Sequence, residues 1–166
     1  MSPPRLLLPI AVFAIMAPFS AQARDALGTF AGWAAFRDPQ VPRCYAIARA
    51  EPAARRDPQV AYVDVSTWPR RALFGQVHFR LARPLAPGAR PQLAFGGQRA
   101  VLTADGAGNA WAADPRADAA IVAALRGGAR LTVWARDAGG KGFVSTFAPA
   151  GAPSALDAMA LACARR

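Results

Sequence analysis

The chain has 166 residues, with 20 basic against 10 acidic side chains, a formal charge of +10, and 54% apolar and 18% charged residues. That length fits one domain, and the composition is too apolar for intrinsic disorder. A zinc site needs three or four Cys, His or carboxylate ligands converging on one ion, and an inventory of one histidine (His78) and two cysteines (Cys44 and Cys163) argues against one.

The chain opens MSPPRLLLPIAVFAIMAPFSAQA. Arg5 supplies a basic start, Leu6 to Phe19 an apolar run, and Ala21-Gln22-Ala23 the small residues of a cleavage site. This is the layout of a secretory signal peptide cut after Ala23. The run is shorter than the roughly 20 residues a spanning helix needs and contains Pro9 and Pro18, so it does not read as an anchor. No later stretch is long and apolar enough to span, so the protein is not expected to be integral to the membrane. The expected compartment is the periplasm or the exterior, with residues 24–166 as a single mature domain. Losing Arg5 takes the side-chain balance from +10 to +9.

From Arg24 to Gly32 the pattern reads as a lead-in. Gly32 to Phe36 and Cys44 to Ala48 then read as strands, joined to the next by a proline- and arginine-rich loop, Glu51 to Gln59. Val60 to Thr67 is a third strand. In Ala72 to Leu81 the residues Leu73, Val77, Phe79 and Leu81 alternate with Gln76, His78 and Arg80, which predicts one core face and one wet face. Gly96-Gly97 joins the segments Gln92 to Phe95 and Arg99 to Thr103 as a hairpin, and Asp105 to Asn109 turns into Ala110-Trp111-Ala112. Asp114-Pro115 predicts a helix start, with Ile121 and Leu125 on the buried side and Gly127-Gly128 at its end. Leu131 to Ala135 and Phe143 to Phe147 pair across Gly139 to Gly142, and Ser154, with Asp157 three residues on, caps a final helix. Eight or nine short strands and two helices predict a mainly β protein. The expected form is an antiparallel β-sandwich, immunoglobulin-like or jelly-roll-like, with two short helices, one of them C-terminal.

In an exported chain the two cysteines pair, so Cys44 and Cys163 are expected to form a structural disulfide between an early strand and the last helix. Catalytic patterns are absent. The serines after residue 23 (Ser66, Ser145 and Ser154) lie in no nucleophile elbow, and the Gly139 to Gly142 run lacks phosphate-loop spacing. His78, on the wet side of its strand, reads as a surface residue. Asp64 or Asp105 could orient it in a triad-like site, and Asp64 is unusual in lying within a strand. Trp33, Trp111 and Trp134 read as core residues. Trp68, before Pro69-Arg70-Arg71, reads as the most exposed of the four and as a candidate for surface binding. With Arg70, Arg71, Arg55 and Arg56 it makes an electrostatic binding surface. The remaining arginines are scattered rather than gathered on one helix or groove, which argues against nucleic acid. The net charge instead favours anionic envelope polymers or lipid head groups.

Ala110-Trp111-Ala112, the helix Ala119 to Gly128, Leu131-Thr132-Val133, and Ser145-Thr146-Phe147 followed by Gly151 and a helix closing on Ala162-Cys163 resemble the invasion-associated locus B family of exported bacterial proteins. Upstream, Trp33, Cys44-Tyr45-Ala46, the strand Gly75 to Leu81 and the loop Pro84 to Gly88 fit the same pattern. Phe147-Ala148-Pro149 and Ala152-Pro153 depart from the family's Tyr-Ser-Leu-like and Gly-Phe stretches, and the additional mid-chain Cys pair of some members is missing. The resemblance implies a disulfide-stapled β-sandwich of the periplasm or cell surface and carries over no catalytic residue. Residues and resemblance together predict a non-enzymatic binding module without metal or cofactor, whose partner is a protein or an anionic envelope component. The alternatives are a small periplasmic hydrolase or lyase using His78 with a nearby Asp, and an electrostatic binder of anionic envelope polymer or lipid.

Overall fold

A computed structural model describes residues 24–52 and 59–164. The segment expected to be a signal peptide, together with Arg55 and Arg56, lies outside the described residues. The described chain folds into eleven strands and two helices, as the sequence class requires. The strands are β1 (Asp25–Phe30), β2 (Trp33–Asp38), β3 (Arg43–Arg49), β4 (Tyr62–Trp68), β5 (Leu73–Arg80), β6 (Gln92–Phe95), β7 (Gln98–Val101), β8 (Thr103–Ala104), β9 (Asn109–Trp111), β10 (Leu131–Arg136) and β11 (Gly142–Phe147). The helices are α1 (Pro115–Arg126) and α2 (Ala152–Ala164). All strand pairs are antiparallel. The larger sheet has the order β1-β2-β3-β4-β5-β9-β8, a meander through its first five strands, and the smaller has β11-β10-β6-β7.

Residues 24–32, read as a lead-in, instead hold β1, an edge strand with a bulge between Ala26 and Gly28. Gly28, at φ +146°, breaks the alternation that would have marked the strand in the sequence. The start of α1 follows its sequence cues. The Asp114 carboxylate accepts from the Ala117 N–H at 2.8 Å, and Pro115 stands in the first turn. Helix α2 departs from expectation, because it begins at Ala152 and Ser154 is an exposed residue inside it rather than its cap. Gly151, at φ +90°, turns the chain, and its carbonyl accepts from the Ala155 N–H to close the first turn. Pro153 is tolerated there because first-turn nitrogens have no intrahelical acceptor.

Both helices and the small sheet pack on one face of the large sheet. Ala35, Cys44, Ala46, Val63, Val65, Val77 and Phe79 project into a core shared with Leu93, Leu131, Val133 and Phe147 of the small sheet, Ile121 and Leu125 of α1, and Leu156 and Met159 of α2. Phe79 and Phe147 meet between the sheets, with ring centroids 5.7 Å apart. Trp33 is buried in the same core, and its indole N–H donates to the Ala148 carbonyl at 2.9 Å. A disulfide joins Cys44 on β3 to Cys163 on α2, with Cα atoms 5.9 Å apart, so the last helix is stapled across the early strands. No helix among the described residues is long and apolar enough to cross a membrane.

Candidate functional site

Antiparallel register decides what the opposite face presents. With Cys44, Val63 and Val77 committed to the core, their alternating neighbours must point the other way. Arg49, Tyr62, Arg80 and Asn109 align across four strands, and so do Ile47, Asp64, His78 and Trp111. Neither helix nor any strand of the small sheet lies on this face. Its aromatic and charged side chains therefore shelter one another.

Asp64 is the centre of the arrangement. It is only 3% exposed. One carboxylate oxygen accepts from Arg43 Nη2 and from Ser66 Oγ, each at 2.6 Å, and the other lies 2.8 Å from His78 Nδ1. Ser66 Oγ in turn accepts from Arg43 Nε at 3.1 Å and Nη2 at 2.7 Å. Burial pushes the Asp64 carboxyl pKa upward, but the hydrogen bonds from His78 and Ser66 and the charge of Arg43 outweigh it and hold the group below its ordinary value. Because a carboxylate only accepts, His78 Nδ1 carries the hydrogen in that contact. On the far side of the ring, Nε2 lies 3.1 Å from Asn109 Oδ1, while Asn109 Nδ2 donates to Asp105 Oδ2 at 2.8 Å. Arg80 donates to the Ala107 carbonyl and to Gln59, both at 2.7 Å, and more weakly to Asn109.

His78 is thus not the exposed surface residue that its wet-side position implies. Its side chain is 19% exposed, held at both ring nitrogens, 5.2 Å from the Trp111 ring and edge-on to Tyr62. Of the two aspartates open as its partner, Asp64 bonds the ring directly and Asp105 acts through Asn109. The Asp64–His78 pair has the orientation of a catalytic dyad, but Ser66 is bonded to Asp64 and Arg43 rather than to the imidazole. Among the described residues no group of three His, Cys, Asp or Glu side chains is arranged to hold a metal.

At one end of this face stands Trp68, half-buried. The guanidinium carbons of Arg43 and Arg71 lie 4.9 and 5.0 Å from its ring centroid, within cation–π range. Arg43 also lies 4.4 Å from the ring centroid of Tyr45, which stacks on Phe36. Pro69 ends β4 and starts a 3₁₀ turn, Pro69–Arg71, that carries Arg70 and Arg71 outward. The structure therefore brings Trp68, Arg70 and Arg71 together as the sequence pattern implied. It adds Arg37 and Arg43, which only the pairing of β2, β3 and β4 places beside them. The expectation of core positions fails for two other tryptophans. Trp134 is 40% exposed on the outside of the small sheet, and Trp111 lies half-buried on the open face beside His78. Both strands alternate, and each Trp falls on the non-core phase, which its apolar size alone conceals.

Comparison of the chain with protein-family models, with curated proteins and with solved structures finds no match.

Proposed function

We propose that this chain is an exported, non-enzymatic binding module that engages an anionic component of the cell envelope through the open face of its large sheet. The observation that carries the reading is the charge left on that face. Arg49 is exposed and Arg80 bonds to neutral oxygens, and among the described residues neither guanidinium is hydrogen-bonded to a carboxylate. The two flank Tyr62 in one cross-strand row, and Trp111 is close by. Cationic forks beside aromatic rings suit an anionic ligand with apolar or ring surface. The signal-like N-terminus and the Cys44–Cys163 disulfide fit export, and the resemblance to the invasion-associated locus B family points to the same compartment.

Co-sedimentation of the mature protein with isolated envelope fragments tests this reading. Retention is expected to fall as salt rises and to drop about tenfold in the Arg49→Gln/Arg80→Gln double variant. Retention indifferent to both changes overturns it. The 2.8 Å Asp64–His78 contact favours a second reading, a small hydrolase or lyase. Turnover of an ester, glycoside or polyuronate that vanishes in His78→Gln would establish that reading in place of binding.

A further inference from the structure

The small sheet also has a bare outer face. Leu93, Leu131, Val133 and Phe147 fill the core, so their alternating neighbours point away from it. Pairing aligns Val144, Trp134, Gln92 and Val101 in one row across the four strands. Three of these are apolar and on the surface, with Val144 44%, Trp134 40% and Val101 37% exposed. Cations surround the row. Arg136 follows Trp134 on the same phase of β10, Arg90 precedes β6, and both line a cleft of about 550 Å³ with Trp134 and Val144. From β7, the guanidinium carbon of Arg99 lies 5.9 Å from the Trp134 ring centroid. Arg136 donates to the Gly140 carbonyl, and among the described residues none of the three arginines is hydrogen-bonded to a carboxylate. The outward phase of the four strands contains no Asp or Glu. Asp137, next to Arg136, is turned to Arg83 and to the N–H groups of Gly139 and Lys141.

An exposed indole between aliphatic neighbours suits a boundary that is apolar on one side and wet on the other. Arginines around it can lay their stems along the apolar surface and put their charge among phosphate groups. A glycan face would offer several hydrogen-bonding side chains to hydroxyls, whereas this row offers one, Gln92. A second copy of the chain seated two-fold on the face would bring arginines against arginines. We infer that the row Val144, Trp134 and Val101, ringed by Arg90, Arg99 and Arg136, is a docking surface for an anionic lipid bilayer. The contact is peripheral, with Trp134 entering the head-group layer. It uses the opposite side of the sandwich from Arg49 and Arg80 and does not rest on the reading of that face.

Sedimentation of the mature protein with vesicles of phosphatidylglycerol in phosphatidylcholine, and with phosphatidylcholine alone, tests the inference. Binding is expected to the anionic vesicles only and to weaken as salt rises. Brominated phosphatidylglycerol should quench the protein's fluorescence, and most of that quenching should vanish in Trp134→Phe. Trp134→Ala should weaken binding about tenfold. Arg99→Gln should weaken it about fivefold, while Arg24→Gln, an equal loss of charge just before β1, should leave it nearly unchanged. Equal weakening by the two arginine variants, or full binding by Trp134→Ala, overturns the face in favour of diffuse attraction. Should Trp134→Ala not fold, the arginine variants and the quenching decide. Equal binding to neutral vesicles overturns the anionic assignment. Polygalacturonate, a soluble acidic glycan, held through Trp134 while vesicles are not, overturns the lipid assignment. Envelope retention that needs Arg49 and Arg80, with no vesicle binding, removes this inference alone. Vesicle binding with retention indifferent to Arg49→Gln/Arg80→Gln removes the large-sheet reading alone.

Discussion

Asp64 shows how one buried side chain sets the chemistry around it. It neutralises Arg43, orients His78 and binds Ser66, so removing it strands a half-buried guanidinium and an imidazole without their acceptor. Asp64→Ala is expected to cost about 3 kcal/mol in urea denaturation, because breaking such a pair leaves an uncompensated charge. The same geometry gives a pH dependence. The folded state holds the Asp64 pKa below its unfolded value of about 3.9. Its contribution is therefore complete above that pH and is lost as pH falls through the lower folded value. The stability of Asp64→Asn should accordingly fall less steeply below about pH 4 than that of the native protein. Asp64 stood out in the sequence as a carboxylate within a strand, and it was one of two aspartates open as partner to His78, but Arg43 was not singled out, since it lies 21 positions away on another strand.

The elements themselves were largely legible where turn chemistry is strong. Asp114-Pro115, Gly127-Gly128 and the Gly96-Gly97 hairpin all act as their residue types predict. Helix α2 was misplaced because Gly151 acts through a tertiary contact. Any Cβ built there would sit 1.7 Å from the Phe30 carbonyl oxygen at the end of β1. Gly151→Ala should therefore destabilise the fold by about 3 kcal/mol, combining left-handed backbone strain with a clash against backbone. Gly97→Ala, at φ +77° with open space around it, should lose only the conformational part, about 1 kcal/mol. Comparable losses in the two variants would show that the close approach to Phe30 carries no weight.

Across the whole molecule, the disulfide closes a loop spanning 119 positions and pins the C-terminal helix over the first strands. In the chain-entropy account such a loop contributes about 4–5 kcal/mol, so the Cys44→Ser/Cys163→Ser variant should lose about that much in chemical denaturation. A loss well below 1 kcal/mol would mean that packing of Leu156 and Met159 alone holds α2. The staple also has a geometric consequence. By pinning α2 to the core face of β3, it keeps the last helix away from the row Arg49, Tyr62, Arg80 and Asn109 on the opposite face.

The sequence by itself determined the β class, the two helices and the cysteine pair as a candidate staple. Alternation, caps and turn residues act over a few positions, and composition bounds the rest. It also marked Trp68, Arg70 and Arg71 as a unit, because they are contiguous. Only tertiary structure decided that Arg37 and Arg43 join them, that His78 is clamped between Asp64 and Asn109, and that Trp111 and Trp134 leave the core. Each of those outcomes depends on which strands are neighbours and in what register, and a shift of one residue would send every one of these side chains to the other face.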